Sequence, residues 1–242
     1  MATKEKRGKN MEFLVNVQKY VPQFISAFIV TIELAVVSLF FATVLGIIVG
    51  MITTSKSKHI IMKILRAIAH IYIDIIRGTP MLVQILIIYF GIGSILRPVT
   101  GFTWLNVGGQ FTAGVVVLAI NAGAYMAEIV RGGIEAVDSG QVEAARSLGL
   151  SQSTTMRKII LPQAIRMMLP SIINQFIISI KDTSLLSTIG LAELTNTGKT
   201  IAATWSSQTM ALYCYMACYY LIICLALSKL AKVIEKRMSY GK

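Results

Sequence analysis

The chain has 242 residues, of which 55% are hydrophobic and only 14% are charged. Its mean hydropathy is +0.70, and this composition excludes an ordinary soluble globular domain. The net charge of +12 would favour nucleic-acid binding in a soluble chain. Here the basic residues follow the loops and ends, as expected for a membrane protein oriented by positive charge. We therefore expect a single polytopic membrane domain.

The apolar segments predict an all-α, polytopic transmembrane helix bundle of about five spans, because roughly 20 residues cross the hydrocarbon core of a bilayer. Residues 1–19 are predicted to form an amino-terminal tail and interfacial segment, and residues 237–242 a carboxyl-terminal tail. The membrane domain covers residues 20–236. Its predicted spans are residues 24–52, 60–96, 111–137, 164–181 and 208–232.

The second predicted span is too long for a simple crossing, since residues 60–96 would extend about 55 Å as one helix. A break is expected near Pro80, because proline lacks the N–H that an α-helix needs and its ring clashes with the preceding turn. Charged residues before the break recur at steps of three and four and share one helix face. We expect this face to meet solvent or a neighbouring helix: it carries Lys63, Arg66, His70, Asp74 and Arg77.

Lysine and arginine counts predict the orientation of the spans. There are 4 in residues 53–66, 1 in residues 97–110, 5 in residues 131–166, 1 in residues 191–207 and 5 in the carboxyl-terminal segment. This alternation predicts an outer amino terminus and a cytoplasmic carboxyl terminus. The basic amino-terminal tail opposes this orientation, and a sixth span at the Pro80 break would place that tail inside.

The polar segment 138–158 has the signals of two short helices joined at a turn. A helix is expected to start near Asp138 or Ser139 and to end at Gly149 with a positive φ angle. Such an elbow would project from the membrane, with Leu148 and Leu150 placed to enter a groove on a partner protein. Glu143 and Arg146 are candidates for ion pairs across that contact. The alternative is an ordinary interfacial loop.

The spacing within residues 143–162 favours the elbow. Glu143-Ala144-Ala145, Gly149, Ile159 and Leu161-Pro162 follow the EAA signature of the permease subunits of ATP-binding-cassette (ABC) importers. Three further segments resemble the polar amino acid uptake branch of that family, and the resemblance covers roughly residues 20–235. These segments are RGTPMLVQ (77–84), AYMAEIVRGGI (124–134) and KDTSLLSTIGL (181–191).

The resemblance implies a type I importer permease in a bacterial cell membrane, paired with a copy of itself or with a sister permease. It also implies an ABC ATPase subunit on the cytoplasmic face and an extracytoplasmic amino-acid-binding protein. No cofactor is expected in this chain, since ATP and Mg would bind the ATPase. The residues expected to couple to the ATPase are Glu143, Ala144, Ala145, Arg146, Gly149 and Leu150.

Polar residues within the spans are candidates for a substrate path, because they are costly in lipid. Asn121, Tyr125 and Glu128 lie on one face of the third span. A carboxylate there can pair with an ammonium group, and an amide can bond to a carboxylate. This pattern favours neutral or basic amino acids as substrates. The alternative is hydrogen bonding between helices.

Two further pairs complete the predicted path. Thr79 and Gln84 flank the Pro80 break, where freed backbone groups can line a cavity. Asp182 and Thr183 resemble a family position near the same cavity. No metal site is expected, because the chain has only two histidines and neither belongs to a metal-spaced cluster.

The sequence also allows two other classes of function. An ion-gradient-driven secondary transporter would use Glu33 and Glu128 as ion or proton sites but leaves the elbow without a role. A membrane-embedded enzyme is disfavoured, because the two histidines, His59 and His70, belong to no metal-spaced cluster and no Ser-His-Asp set is in reach of the spans. An internal ATPase is rejected, because Gly198-Lys199-Thr200 has Glu193 where a phosphate loop needs glycine. No catalytic residue is therefore expected.

Overall fold

The computed structural model describes the backbone of residues 2–239 and the side chains of residues 17–205 and 207–237. Most of the predicted amino-terminal segment 1–19 and most of the predicted tail 237–242 lie outside the described side chains. The described backbone is helical and contains no strand. The α-helices are α1 (Ala2–Thr54), α2 (Ile60–Gly78), α3 (Met81–Leu86), α4 (Ile92–Thr100), α5 (Gly109–Glu135), α6 (Ser139–Ser147), α7 (Gln152–Thr155), α8 (Leu161–Asp182), α9 (Leu194–Thr204) and α10 (Thr209–Ser239).

Shorter helical turns join several of these helices. A π-turn has hydrogen bonds between residues i and i+5 and is wider than an α-helical turn, whereas a 3₁₀ turn has them between residues i and i+3 and is tighter. The π-turns are Ile87–Gly91 and Met156–Ile160, and the 3₁₀ turns are Trp104–Val107, Thr183–Ile189 and Ser206–Gln208.

The fold is a polytopic helix bundle of about five spans, as the sequence predicts. Within the described residues, four helical segments are long and apolar enough to cross a membrane. Helix α8 is the fifth long helix of the bundle and packs between α5 and α10. The four apolar segments are Val17–Thr54, Met81–Thr100, Gly109–Glu135 and Thr209–Arg237.

Helices α1 and α5 form the main contact of the bundle and run parallel. Glycines on α1 allow the two backbones to approach closely, which is common where membrane helices pack. A Cβ atom at Gly50 would lie 2.7 Å from Val130 Cβ and 2.9 Å from the carbonyl oxygen of Ala127. Side chains larger than hydrogen at this position would therefore push the helices apart.

The chain breaks between α2 and α3, where Thr79 is extended and Pro80 precedes the new helix. Pro80 has no N–H to offer the carbonyl of Ile76, so that oxygen would be left unpaired. The side-chain amide of Gln84 replaces the missing donor: its Nε2 donates to the carbonyls of Ile76 at 2.8 Å and Thr79 at 3.1 Å. The break is therefore fixed in place by one buried side chain.

Helix α9 packs against α1 and α10 and begins at a buried carboxylate. Glu193 is fully buried and caps α9, accepting from the backbone N–H groups of Thr195 and Asn196. Tyr220 of α10 also donates to it at 3.1 Å. Because Glu193 fills the position where a phosphate loop has glycine, this segment is a capped helix with no phosphate cradle.

Candidate functional site

The elbow begins with a capped helix. Helix α6 starts after Asp138, whose side chain accepts a hydrogen bond from the backbone N–H of Gly140 at 2.6 Å. Its Ala145 is only 2% exposed and packs inward. The amide of Gln163 on α8 donates to Gln141 on α6 at 2.8 Å. Helix α6 is thus tied directly to a helix of the membrane bundle.

The turn of the elbow closes on Gly149, whose φ angle is 80°. The N–H of Leu150 donates to the carbonyl of Ala145 at 3.1 Å, and the N–H of Gly149 to that of Arg146 at 3.0 Å. These two hydrogen bonds together form the Schellman motif, which ends a helix with a residue in the left-handed region. The predicted positive φ at Gly149 is confirmed.

Arg146 has a different environment from the one that the sequence suggested. Its guanidinium folds back and donates to the carbonyl of Leu150 at 2.7 Å. The side chain thereby stabilises the turn, because a charged donor satisfies a carbonyl that the helix end leaves free. Glu143 and Leu148 remain on the outer surface of the elbow, and Leu148 is 82% exposed.

The second half of the elbow continues into the membrane without a loop. Ser151 caps α7 by accepting from the N–H of Thr154 at 3.2 Å. Helix α7 passes through the π-turn Met156–Ile160 into α8, and the N–H of Leu161 bonds to the carbonyl of Met156. The π-turn lies next to Pro162, which cannot donate a helical hydrogen bond. The elbow is therefore a rigid extension of α8.

An open groove of about 530 Å³ lies between the ends of α2 and α5 and the middle of α8. Three separate parts of the chain contribute its walls. The lining consists of Arg77, Tyr125, Glu128, Ile129, Pro170, Ser171, Asn174, Gln175 and Ile178.

Opposite charges meet at one wall of the groove. Arg77 of α2 lies 3.1 Å from the Glu128 carboxylate of α5, which also pairs with Arg131 at 2.9 Å. The Arg77 guanidinium carbon is 5.5 Å from the centroid of the Tyr125 ring, a cation–π distance. Arg131 pairs in addition with Glu135 at 2.7 Å. Two cations and two anions thus form a balanced network.

Helix α8 brings an amide to the same groove. Gln175 is 4% exposed and makes no hydrogen bond to any residue that the structure describes, but its amide atoms are not among the buried polar atoms that lack a partner, so they stay accessible from the groove. An accessible amide can donate to and accept from a ligand or water there. Ser179, one turn further along α8, is also buried and its Oγ has no partner in the described chain.

The predicted substrate-path residues fall into three groups. Tyr125 and Glu128 line the groove. Gln84 donates to the Oγ1 of Thr79 at 2.9 Å and accepts from the amide of Asn121 at 2.8 Å, so these three residues bond to one another beside the break. Asp182 and Thr183 end α8 and do not line the groove. Thr183 is buried and donates to the carbonyl of Ile180 at 2.7 Å.

Sequence reasoning missed four polar groove residues: Arg77, Ser171, Asn174 and Gln175. Arg77 was placed with a charged face expected to meet solvent or a neighbouring helix, and it does meet α5. The polar residues of α8 are recognisable in the sequence, since Ser171, Asn174 and Gln175 are polar positions inside an apolar helix. Their direction depends on the packing of α8, which one sequence does not specify.

No group of three or more metal-ligating side chains occurs among the residues that the structure describes. The three cysteines are free, and two of them, Cys214 and Cys218, are exposed on α10.

Comparisons with known proteins agree with this architecture. The glutamine transport system permease protein of Escherichia coli (strain K12) is 40% identical over 218 residues, which cover 90% of this chain and 94% of that protein. A putative glutamine transport system permease protein of Rickettsia prowazekii (strain Madrid E) is 35% identical over 231 residues, covering 93% and 98%. Both relatives therefore match almost from end to end.

Solved structures show the same fold. A crystal structure of an amino acid ABC transporter with histidines matches with a TM-score of 0.81 and 38% identity, covering 92% of this chain and 97% of that chain. The methionine ABC transporter MetNI in an inward-facing conformation matches in fold, with a TM-score of 0.67 and 18% identity over 89% and 98%.

The family model named binding-protein-dependent transport system inner membrane component matches residues 42–240. Its members are multi-pass membrane subunits of ABC importers, in which a separate subunit hydrolyses ATP. The chain is therefore a transport subunit and not an enzyme, and it belongs to the family of inner membrane components of binding-protein-dependent transport systems.

Proposed function

We propose that this chain is the permease subunit of an ATP-driven importer of polar amino acids and that its groove is the substrate site. The observation that carries the proposal is a groove whose lining combines the Arg77–Glu128 ion pair with Gln175, an amide that makes no hydrogen bond within the described chain. The relatives that transport glutamine support an uncharged polar substrate. The balanced charges of the groove support the same substrate class, because they favour neither a net cation nor a net anion.

The groove offers complementary groups to a zwitterion. Arg77 can bind the α-carboxylate, since its guanidinium has more donors than the contact with Glu128 uses. Glu128 can accept from the α-ammonium group. Gln175 then bonds to the side chain of the substrate, as both a donor and an acceptor. Tyr125 holds Arg77 in position through its ring.

The remaining path residues have different roles in this proposal. Thr79, Gln84 and Asn121 hold the break beside the groove, because their polar groups are already bonded to one another. Asp182 and Thr183 belong to the outer part of the path. Ser179 connects the two parts, since it lies one helical turn beyond Gln175 on the same face and its hydroxyl is unpaired.

The elbow is proposed as the lever that couples the spans to the ATPase. Arg146 bonds within the elbow, whereas Glu143, Ala144 and Leu148 lie on its exposed surface. The continuous connection of α7, the π-turn and α8 supports a rigid transmission of movement. Ala145 and Leu150 hold the turn that sets the direction of this surface.

The proposed assembly contains further subunits. A second permease, identical or related, would complete the translocation path, and an extracytoplasmic binding protein would deliver the amino acid. ATP and Mg would bind the ATPase. The amino terminus is proposed to lie outside and the carboxyl terminus in the cytoplasm, since the basic residues concentrate on the elbow side of the spans.

The test is an uptake assay with the permease, its ATPase and its binding protein in proteoliposomes, with glutamine, arginine and glutamate as the substrates. We expect ATP-dependent uptake with glutamine preferred, and a weaker affinity in the Glu128→Gln variant. Uptake driven by an ion gradient without the ATPase would instead identify a secondary transporter. Unchanged affinity of Glu128→Gln for all three amino acids would remove Glu128 from the site.

A further inference from the structure

A second pocket, of about 540 Å³, lies where the elbow meets the ends of the spans. Its walls come from the end of α1 and the following loop, from the end of α5, and from the segment joining α7 to α8. The lining consists of Met51, Thr54, Ser55, Lys56, Ser57, Ile134, Gln152, Met156 and Leu161.

The polar part of this pocket is suited to an anion. Lys56 is the only charged residue in its lining, and it forms no ion pair within the described part of the chain. The hydroxyls of Ser55 and Ser57 accept long backbone hydrogen bonds of 3.4 Å, which leaves their protons free to donate. A lysine beside hydroxyl and amide donors, without a carboxylate, attracts phosphate.

The loop that carries these donors is held in place. Arg66 of α2 donates to the carbonyl of Ser57 at 2.8 Å and so fixes the loop against the helix. Residues 53–66 contain four lysines and arginines and no acidic residue. The positive potential of the pocket is therefore reinforced by its surroundings.

The position of the pocket favours lipid as the source of the phosphate. Lys56 follows directly after a membrane span that ends at Thr54. Helix α2 begins a few residues later and exposes Ile60, Ile61 and Ile64 at 53–64%. The pocket therefore has cationic donors at the level of the headgroups and bare apolar surface beside it, which complements a phospholipid.

We propose that this pocket binds the phosphate group of an anionic phospholipid on the elbow side of the membrane. Basic pockets between membrane helices on the cytoplasmic side are suited to such headgroups. Because Gln152 and Met156 belong to the elbow and Met51 and Ile134 to the spans, a bound lipid bridges the two. The bound anionic lipid thereby stabilises the junction between the elbow and the spans, through which movement is transmitted. This inference rests on the proposed orientation of the elbow and is independent of the groove.

The experiment measures lipid retention. The intact importer complex is placed in nanodiscs of phosphatidylcholine with or without phosphatidylglycerol, released into detergent and analysed by native mass spectrometry. We expect phosphatidylglycerol retention to fall about fivefold in Lys56→Gln, since one lysine near a membrane surface contributes about 1 kcal/mol. Gln152→Ala, which leaves the charge unchanged, is expected to lower retention as well.

Two matched controls separate a built pocket from general surface charge. Lys58→Gln removes the same charge two residues further on, outside the lining. Ser153→Ala truncates the neighbour of Gln152. Both control variants are expected to retain phosphatidylglycerol better than the pocket variants. Equal losses in Lys56→Gln and Lys58→Gln would overturn the proposal. It would also be overturned if inorganic phosphate displaced the retained lipid or bound equally well in phosphatidylcholine discs. The uptake assay is a separate readout, so a failed lipid site leaves the proposed function standing.

Discussion

The elbow and the groove satisfy their polar groups in opposite ways. The elbow is one contiguous segment in which polar side chains close the helix ends on their own backbone, as Asp138 and Arg146 do. The groove is assembled from α2, α5 and α8, and the amide of Gln175 in its lining has no hydrogen-bond partner in the described chain. A region that completes itself is suited to act as a rigid body. A region that remains incomplete is suited to bind a solute.

The largest expected effect is at the tip of the elbow. Leu148→Asp places a charge at an 82% exposed apolar side chain. If this leucine enters a pocket of the ATPase, we expect the loss of about 3 kcal/mol in docking, or more than about a hundredfold. ATP-driven uptake in proteoliposomes should then be abolished.

Leu105→Asp is the matched control, since Leu105 is 80% exposed but lies in the connection before α5, away from the elbow. It should transport at the wild-type rate. Equal losses in both variants would mean that any surface charge is harmful and that the elbow tip has no special role.

The second largest effect is a loss of stability that we expect at Gln84 and not at Gln163. Gln84→Leu leaves the carbonyls of Ile76 and Thr79 and the amide of Asn121 without their partner. We expect the free energy of unfolding to fall by about 2 kcal/mol, the cost of buried unpaired groups. Thermal unfolding in detergent measures this. Gln163→Leu, which removes a more exposed amide bridge, should unfold close to the wild type; if it falls as far as Gln84→Leu, the bonds at the break have no special importance.

Gln175→Leu should behave in the opposite manner. Because Gln175 has no partner in the described chain, its loss should leave the thermal stability unchanged or slightly higher. The KM for uptake should rise about tenfold, the value of one hydrogen bond of about 1.4 kcal/mol. A lowered stability with an unchanged KM would make Gln175 a structural residue.

The smallest effect is expected at the start of the elbow. Asp138→Ala removes the cap of α6 and should destabilise that helix by about 1 kcal/mol. Hydrogen exchange of the α6 amides should accelerate about fivefold, while the spans remain protected. Asp138→Asn keeps an acceptor and should exchange at nearly the wild-type rate; acceleration in both variants would assign the effect to the charge.

The contrast also explains what could be predicted from the sequence. The break at Pro80, the start of α6 near Asp138 and the positive φ of Gly149 follow from local chemistry, and each occurs in the structure. Arg146 was expected to face a partner, and it folds back onto Leu150 instead. That bond depends on the completed turn, which local signals do not reveal.

The groove was only partly predictable for the same reason. Tyr125 and Glu128 share a helix face, so their common direction follows from the helical repeat. Arg77 and Gln175 join them only through the packing of α2 and α8 against α5. The bond between Gln84 and Asn121 likewise links residues far apart in the chain. Periodicity indicates a face and does not specify its neighbour.

The division of labour between the two regions is tested most directly by the retention of the ATPase. The affinity-tagged chain is co-expressed with its ATPase, solubilised and purified as wild type, Leu148→Asp and Gln175→Leu. We predict that the ATPase co-purifies with the wild type and with Gln175→Leu but is lost from folded Leu148→Asp. Retention by Leu148→Asp, or loss from Gln175→Leu, would contradict the assignment of coupling to the elbow and of substrate binding to the groove.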